Sequence, residues 1–137
     1  MKRKIGDCLA CSSYLELALY EREKHFSAAV KTLRKVSFNT IVCTGVSGLV
    51  FAPTLAFLLK KQLVVVRKTT EGTHADKICE ANFMVGDIGK WIFVDDFIES
   101  GATLKKTKTA ITKEYSPFAN YAGCYLYDLC VWEKAEK

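Results

Sequence analysis

The sequence lacks any long hydrophobic run. Its apolar stretch over residues 49–59 ends at Lys60 and Lys61, and is too short for the roughly 18 residues that a membrane-spanning helix needs. The basic start, Met1 to Lys4, is not followed by the apolar core of a secretory signal. These absences argue against a membrane protein and predict a soluble, cytoplasmic one.

Histidine is scarce, and this limits metal chemistry. His25 and His74 are the only two histidines, and no second CxxC pair completes a zinc site with Cys8 and Cys11. Cys8 and Cys11 are therefore interpreted as two small helix or loop residues rather than as half of a zinc site. Without a secretory signal, reduced thiols are expected. Three further cysteines lie in apolar, strand-like runs and are predicted to pack in the core: Cys43, Cys124 and Cys130.

The chain carries a net charge of +5, but its basic clusters contain no interleaved aromatic platform. Solvated faces, or attraction for a phosphate-rich small ligand, are therefore favoured over binding to nucleic acid. The basic clusters lie at residues 2–4, 31–35, 60–68 and 105–113.

The length and the hydrophobic pattern predict one α/β domain over all 137 residues, with a parallel sheet and a core at about residues 38–127. Residues 44–48 read as a turn, and the 21 residues 69–89 exceed ordinary loops of about 4–6 residues, which predicts a mobile flap or hairpin with a possible strand at 78–84. Predicted helices span 12–36, 49–61 and 104–113, and predicted strands span 38–43, 62–67, 91–94 and 121–126.

The most informative segment is residues 91–103, WIFVDDFIESGAT. An apolar strand there delivers two acids, Asp95 and Asp96, which suit ribose hydroxyls or a magnesium ion held with water. The small polar segment that follows suits a phosphate, because a helix N-terminus offers free N–H groups. Together they indicate a sugar phosphate. The residues of this phosphate segment are Glu99, Ser100, Gly101, Ala102 and Thr103.

Residues 92–103 resemble the phosphoribosyl-pyrophosphate motif of type I phosphoribosyltransferases. Residues 41–52 resemble that family's first strand and pyrophosphate loop, and residues 64–68 resemble the Arg-Lys strand end of its orotate, adenine and xanthine branches. The three matches follow the family's order over roughly residues 38–115. The resemblance implies a Rossmann-like parallel sheet flanked by helices, a flexible flap and a small hood built from the termini.

The resemblance also implies roles for individual residues. Asp95 and Asp96 would hold the ribose hydroxyls and, through water, Mg²⁺, while Arg67 and Lys68 would face the diphosphate. In the flap, the match of His74 and Lys77 to the loop of orotate enzymes is loose, and solvated residues are an equal alternative. Residues 99–103 would wrap the 5′-phosphate. The amides of the pyrophosphate loop would also meet the diphosphate, and they belong to Thr44, Gly45, Val46, Ser47 and Gly48.

The implied function is a Mg²⁺-dependent phosphoribosyltransferase of nucleotide salvage or synthesis, acting as a homodimer. It would move ribose 5-phosphate from phosphoribosyl pyrophosphate to a nucleobase of purine or orotate type and release pyrophosphate. The alternative is a non-catalytic regulator that binds phosphoribosyl pyrophosphate or a nucleotide with the same fold. No helix-turn-helix domain accompanies the motif, which counts against a regulator that binds DNA.

Glu99 and three aromatic residues are left with two readings each. Hypoxanthine-guanine enzymes carry an Asp at the position of Glu99, which favours proton exchange with the base. Those enzymes also carry a later-strand Lys that residues 120–128 lack, so a role for the Glu99 backbone alone stays open. Base stacking is one reading of the aromatic residues, and packing in the core or in a dimer is the other. These aromatic residues are Tyr125, Tyr127 and Trp132.

Overall fold

The computed structural model describes residues 22–68 and 78–136. Their helices and strands alternate along the chain, as the hydrophobic pattern predicts. The helices are α1 (Arg22–Leu33), α2 (Gly45–Leu49), α3 (Ala52–Leu59) and α4 (Ala102–Tyr115), with a 3₁₀ turn at Val85–Asp87. The strands are β1 (Thr40–Thr44), β2 (Gln62–Val66), β3 (Cys79–Ala81), β4 (Gly89–Asp95), β5 (Ala119–Leu126) and β6 (Val131–Lys134).

The strands form one six-stranded sheet in the order β3-β2-β1-β4-β5-β6. The four central strands are parallel, and the edge strands β3 and β6 are antiparallel to their neighbours. All five residues of β1 are buried, which explains why this strand reads as a continuous run rather than as an alternation of polar and apolar residues. The predicted parallel sheet is thus confirmed for the central strands.

Each face of the sheet carries its own hydrophobic core. On one face, α1 and α3 pack against the sheet, and the ring of Phe51 stacks between Phe26 and Tyr127 with centroids 4.2 Å from each. On the other face, Ile111 and Tyr115 of α4 pack in a core formed with β-strand residues. Burying a side chain of this size contributes about 1.5–3 kcal/mol, so both helices are held on the sheet by their apolar faces.

The first loop differs from its prediction. Apart from Thr44, the predicted turn at residues 44–48 forms the short helix α2, and the next helix begins at Ala52 instead of residue 49. Pro53 does lie in the first turn of α3, where its missing N–H costs nothing. Gly48 permits the early helix, because a Cβ on Gly48 would lie 2.8 Å from the Cβ of Cys43.

The segments near the chain ends join the core. The tail beyond residue 127 contributes β6, and α1 packs on the sheet. The hood built from the termini stays a prediction, because residues 1–21 lie outside the described part of the chain. Cys43 and Cys124 are buried as predicted. The prediction for Cys130 is wrong, because Cys130 is only half-buried in the turn before β6, with a left-handed φ of +53°.

Some predictions cannot be compared with the structure. Cys8, Cys11, His74 and Lys77 lie outside the described residues. Within residues 22–68 and 78–136, no helix is long and apolar enough to cross a membrane.

Candidate functional site

The candidate site lies where the chain reverses direction across the sheet. From β1 the chain first adds β2 on one side and later β4 on the other, so a crevice opens outside the carboxyl ends of β1 and β4. A cavity of about 170 Å³ fills this crevice. Its polar residues and one glycine come from three segments of the chain: Thr44, Ser47, Lys68, Asp95, Asp96, Glu99, Ser100, Gly101 and Thr103.

Asp95 is the most perturbed carboxylate in this cavity. It ends β4 and is 7% exposed, and its Oδ1 accepts hydrogen bonds from the Ser47 hydroxyl (2.7 Å) and from the Asp96 amide (2.9 Å). Burial raises the pKa of Asp95 to about 6, although the two hydrogen bonds oppose the shift and the nearby Asp96 carboxylate adds to it. A bound cation or hydroxyl donor would therefore favour its charged form.

Asp96 continues the same turn and is equally shielded. Its side chain is 6% exposed, and its Oδ1 accepts a hydrogen bond from the Phe97 amide at 2.8 Å. One oxygen of each acid is thus used to fix the backbone of the turn. Because their rotamers are held before any ligand arrives, the two carboxylates are preorganised for binding.

The phosphate segment forms an open cradle at the start of α4. Gly101 is the residue before the helix and has φ +79°, a left-handed conformation that favours glycine. The Ala102 amide donates to the Ser100 hydroxyl at 3.3 Å. The first amides of a helix have no intrahelical acceptor, so the segment can receive a phosphate as its sequence predicts.

Two residues of the first loop line the cavity with their side chains. Thr44 and Ser47 line the cavity, whereas Val46 is 57% exposed and Gly48 is a buried residue of α2. The Thr44 hydroxyl donates to the carbonyl of Val66 at 2.6 Å, which ties β1 to β2. Any role of Val46 or Gly48 in binding would therefore rest on their backbone amides.

Arg67 and Lys68 separate at the end of β2. Lys68 lines the central cavity, and a Cβ on Gly45 would lie 3.1 Å from the Lys68 Cε, so its ammonium group lies over the first loop. Arg67 turns toward β3, where its guanidinium forms an ion pair with Glu80. Of the two cations that the resemblance assigns to the diphosphate, only Lys68 lines the central cavity.

Two residues after β5 hold the backbone of cavity residues in place and were not foreseen in this role. The Tyr127 hydroxyl donates to the Ser47 carbonyl (2.8 Å), and the Asp128 amide donates to the Asp96 carbonyl (3.1 Å). Burial and the nearby Asp96 raise the pKa of Asp128. Their position directly after a central strand was the available signal, because the carboxyl ends of parallel strands meet at one edge.

The aromatic candidates for base stacking have different surroundings. Tyr125 and Tyr127 are buried in the core with exposed fractions of 0% and 1%, so stacking by either ring is excluded and the packing reading is confirmed. Trp132 is half-buried and packs against the same core, and it lines a groove at the opposite end of β5 from Asp95.

Comparison with known proteins places this architecture. No protein-family model and no curated protein matches the sequence. Solved structures do match: UMP synthase from Leishmania donovani at TM-score 0.65, with 16% identity over 82% of this chain and 24% of that one. Orotate phosphoribosyltransferase from Aeropyrum pernix follows at 0.58, with 18% identity over 76% of this chain and 56% of that one. Adenine phosphoribosyltransferase from Thermoanaerobacter pseudethanolicus matches at TM-score 0.59, with 16% identity over 81% of this chain and 69% of that one.

The chain thus belongs to the class of α/β structures that have a crevice where the strand order of the sheet reverses. More narrowly, the chain has the type I phosphoribosyltransferase fold, as the resemblance implies. The chain spans about a quarter of the Leishmania enzyme and 56% of the Aeropyrum enzyme. Identities below 25% establish the fold, and the reaction has to be argued from the site.

Proposed function

We propose that this chain is a phosphoribosyltransferase, which moves ribose 5-phosphate from phosphoribosyl pyrophosphate to a nucleobase of purine or orotate type. One observation carries the proposal: two shielded carboxylates, Asp95 and Asp96, lie beside an open helix N-terminus in one cavity of a phosphoribosyltransferase fold. Carboxylates accept hydrogen bonds from a sugar diol, and free amides bind a phosphate. A ribose phosphate needs both.

Magnesium is the cation that suits this donor set. Asp95 and Asp96 offer hard oxygen ligands, and burial raises the pKa of Asp95 to about 6, so a divalent cation would stabilise its charged form. Within the described residues, no group of three or more His, Cys, Asp or Glu could hold a metal. Mg²⁺ is commonly held by one or two carboxylates together with water and substrate phosphates.

The residues divide the work of the reaction among them. Asp95 and Asp96 accept hydrogen bonds from the ribose hydroxyls, and the segment 99–103 holds the 5′-phosphate, so the anomeric carbon is fixed in place. As its bond to the diphosphate breaks, positive charge develops on the sugar, and Lys68 with the amides of the first loop neutralises the departing anion. Mg²⁺, when bound, supplies additional charge neutralisation for that anion.

The incoming nitrogen of the base then bonds to the anomeric carbon. Glu99 is exposed at the edge of the cavity, from which its carboxylate could take the proton of that nitrogen. His74 and Lys77 are proposed for the flap that would keep water from the cation. Turnover of an oxopurine would support this role of Glu99.

A non-catalytic binding protein is the second candidate. The ion pair between Arg67 and Glu80 favours it, because it occupies one of the two cations that the resemblance assigns to the leaving group. Ligand binding through Asp95 and Asp96 would be the same in both cases, and only turnover separates them.

A homodimer in the cytoplasm completes the proposal. Phe57 is 81% exposed on α3, and Val46, Leu49 and Leu58 are exposed apolar neighbours on α2 and α3. Exposed apolar side chains of this size commonly mark a protein interface. A second copy packed on this face would remove them from water.

The test is release of pyrophosphate from phosphoribosyl pyrophosphate and Mg²⁺ with adenine, hypoxanthine, guanine, xanthine, orotate, uracil or nicotinamide. We expect turnover with at least one base, and loss of both turnover and ligand binding in the double variant Asp95→Asn, Asp96→Asn with its fold retained. Tight calorimetric binding without turnover would select the binding protein. Unchanged binding in the double variant would refute the ribose site.

A further inference from the structure

A second cavity, of about 320 Å³, adjoins the central one on the side of α4. The two cavities share Thr44, Lys68 and Thr103 in their walls, so they are direct neighbours. We call the second cavity the annex, and its further polar lining includes Arg67 and Lys106. Lys106 lies three residues after Thr103 and therefore on the same face of α4.

The charges of the two cavities are segregated. Asp95, Asp96 and Glu99 line the central cavity, whereas none of the described residues that line the annex is a carboxylate. Positive groups that face one small cavity repel one another unless an anion lies between them. A ligand that spans both cavities would thus be hydroxyl-rich at one end and strongly anionic at the other.

Arg67 is already engaged at the edge of the annex. Its guanidinium pairs with Glu80, and its amide donates to the carbonyl of Ile78 at 2.7 Å, so it is tied to the segment that enters β3. Its Nε is buried and has no hydrogen-bond partner among the described residues. Neither Lys68 nor Lys106 forms an ion pair within the same part of the chain, which leaves these two ammonium groups to meet an anion.

We propose that the annex receives the diphosphate end of the sugar-phosphate donor and that Lys106, which lines the annex together with Lys68, is a diphosphate-binding residue. This rests on the proposed function and adds to it a cation from α4. Lys68 is shared by both cavities and meets the diphosphate where it joins the sugar, whereas Lys106 lines only the annex and meets its far end. Arg67 serves mainly to hold β3 against β2 through Glu80.

The experiment compares binding of three probes by calorimetry: Mg²⁺-diphosphate, phosphoribosyl pyrophosphate and ribose 5-phosphate. Lys106→Ala removes the proposed contact, Lys106→Arg keeps the charge, and Lys105→Ala is the matched control, since Lys105 is an exposed neighbour that lines neither cavity. We expect Lys106→Ala to weaken the first two probes about tenfold, because a hydrogen bond to a charged group is lost. Its affinity for ribose 5-phosphate should stay within about twofold.

The outcomes separate this inference from the proposed function. Retained affinity in Lys106→Arg and in Lys105→Ala, with loss in Lys106→Ala, supports the annex. Equal diphosphate affinity in Lys106→Ala and the parent overturns it, even if the parent turns over a base. A parent that binds diphosphate through Lys106 but not phosphoribosyl pyrophosphate would refute the proposed function and the assignment of the annex to its donor.

Discussion

Asp95→Asn should stabilise the ligand-free protein at neutral pH while removing ligand binding. Burial raises the pKa of Asp95 from 3.8 to about 6, so the folded chain holds this proton more tightly than the unfolded chain does. The charged carboxylate therefore lowers the free energy of unfolding as the pH rises from about 4 to about 6, and the loss persists above that range. Asparagine carries no charge and can still accept the hydrogen bonds from Ser47 and the Asp96 amide.

The size of the effect follows from the pKa shift. One pKa unit corresponds to about 1.36 kcal/mol, so a rise from 3.8 to about 6 sets a ceiling of about 3 kcal/mol. Solvent screening at the mouth of the cavity reduces this, and we expect about 1–2 kcal/mol at about pH 7.5. At about pH 3 the carboxyl is largely protonated in both states, so the gain should vanish there.

Urea unfolding followed by circular dichroism at the two pH values measures the difference. Asp87→Asn is the control, because Asp87 is an exposed acid in the 3₁₀ turn, and its removal should change stability by less than about 0.5 kcal/mol. An Asp95→Asn variant that is less stable than the parent at about pH 7.5, or a gain that does not depend on pH, would refute the reasoning.

Two further predictions concern packing and assembly. Gly48→Ala should lower the free energy of unfolding by about 1–3 kcal/mol in urea melts, because its Cβ would lie 2.8 Å from that of Cys43; unaltered stability would mean that α2 can move away from β1 at little cost. Phe57→Asp should convert the proposed dimer to a monomer in light scattering, whereas Leu129→Asp, an equally apolar-to-acidic change at a residue 61% exposed, should leave it dimeric; a dimer in both variants would place the interface elsewhere.

Much of the fold could be read from local patterns. The central strands are largely buried and therefore appear as apolar runs. These runs located β1, β2, β4 and β5 to within two residues at every end. The start of α2 could not be read in this way, because a Thr-Gly-Val-Ser-Gly segment is typical of a turn. Its helical form depends on Gly48 fitting against Cys43, a contact between neighbouring elements that local preference does not encode.

The candidate site, too, was partly determined by the sequence alone and partly by the tertiary structure. The sequence alone determined that Asp95 and Asp96 end a buried strand next to a phosphate-type helix start, because the motif is contiguous and local chemistry decides it. Only the tertiary structure decided that Arg67 pairs with Glu80 and that Lys106 lines the same cavity as Lys68. These charges come from separate elements, and their distances are set by the order of strands in the sheet and by the packing of α4 upon it.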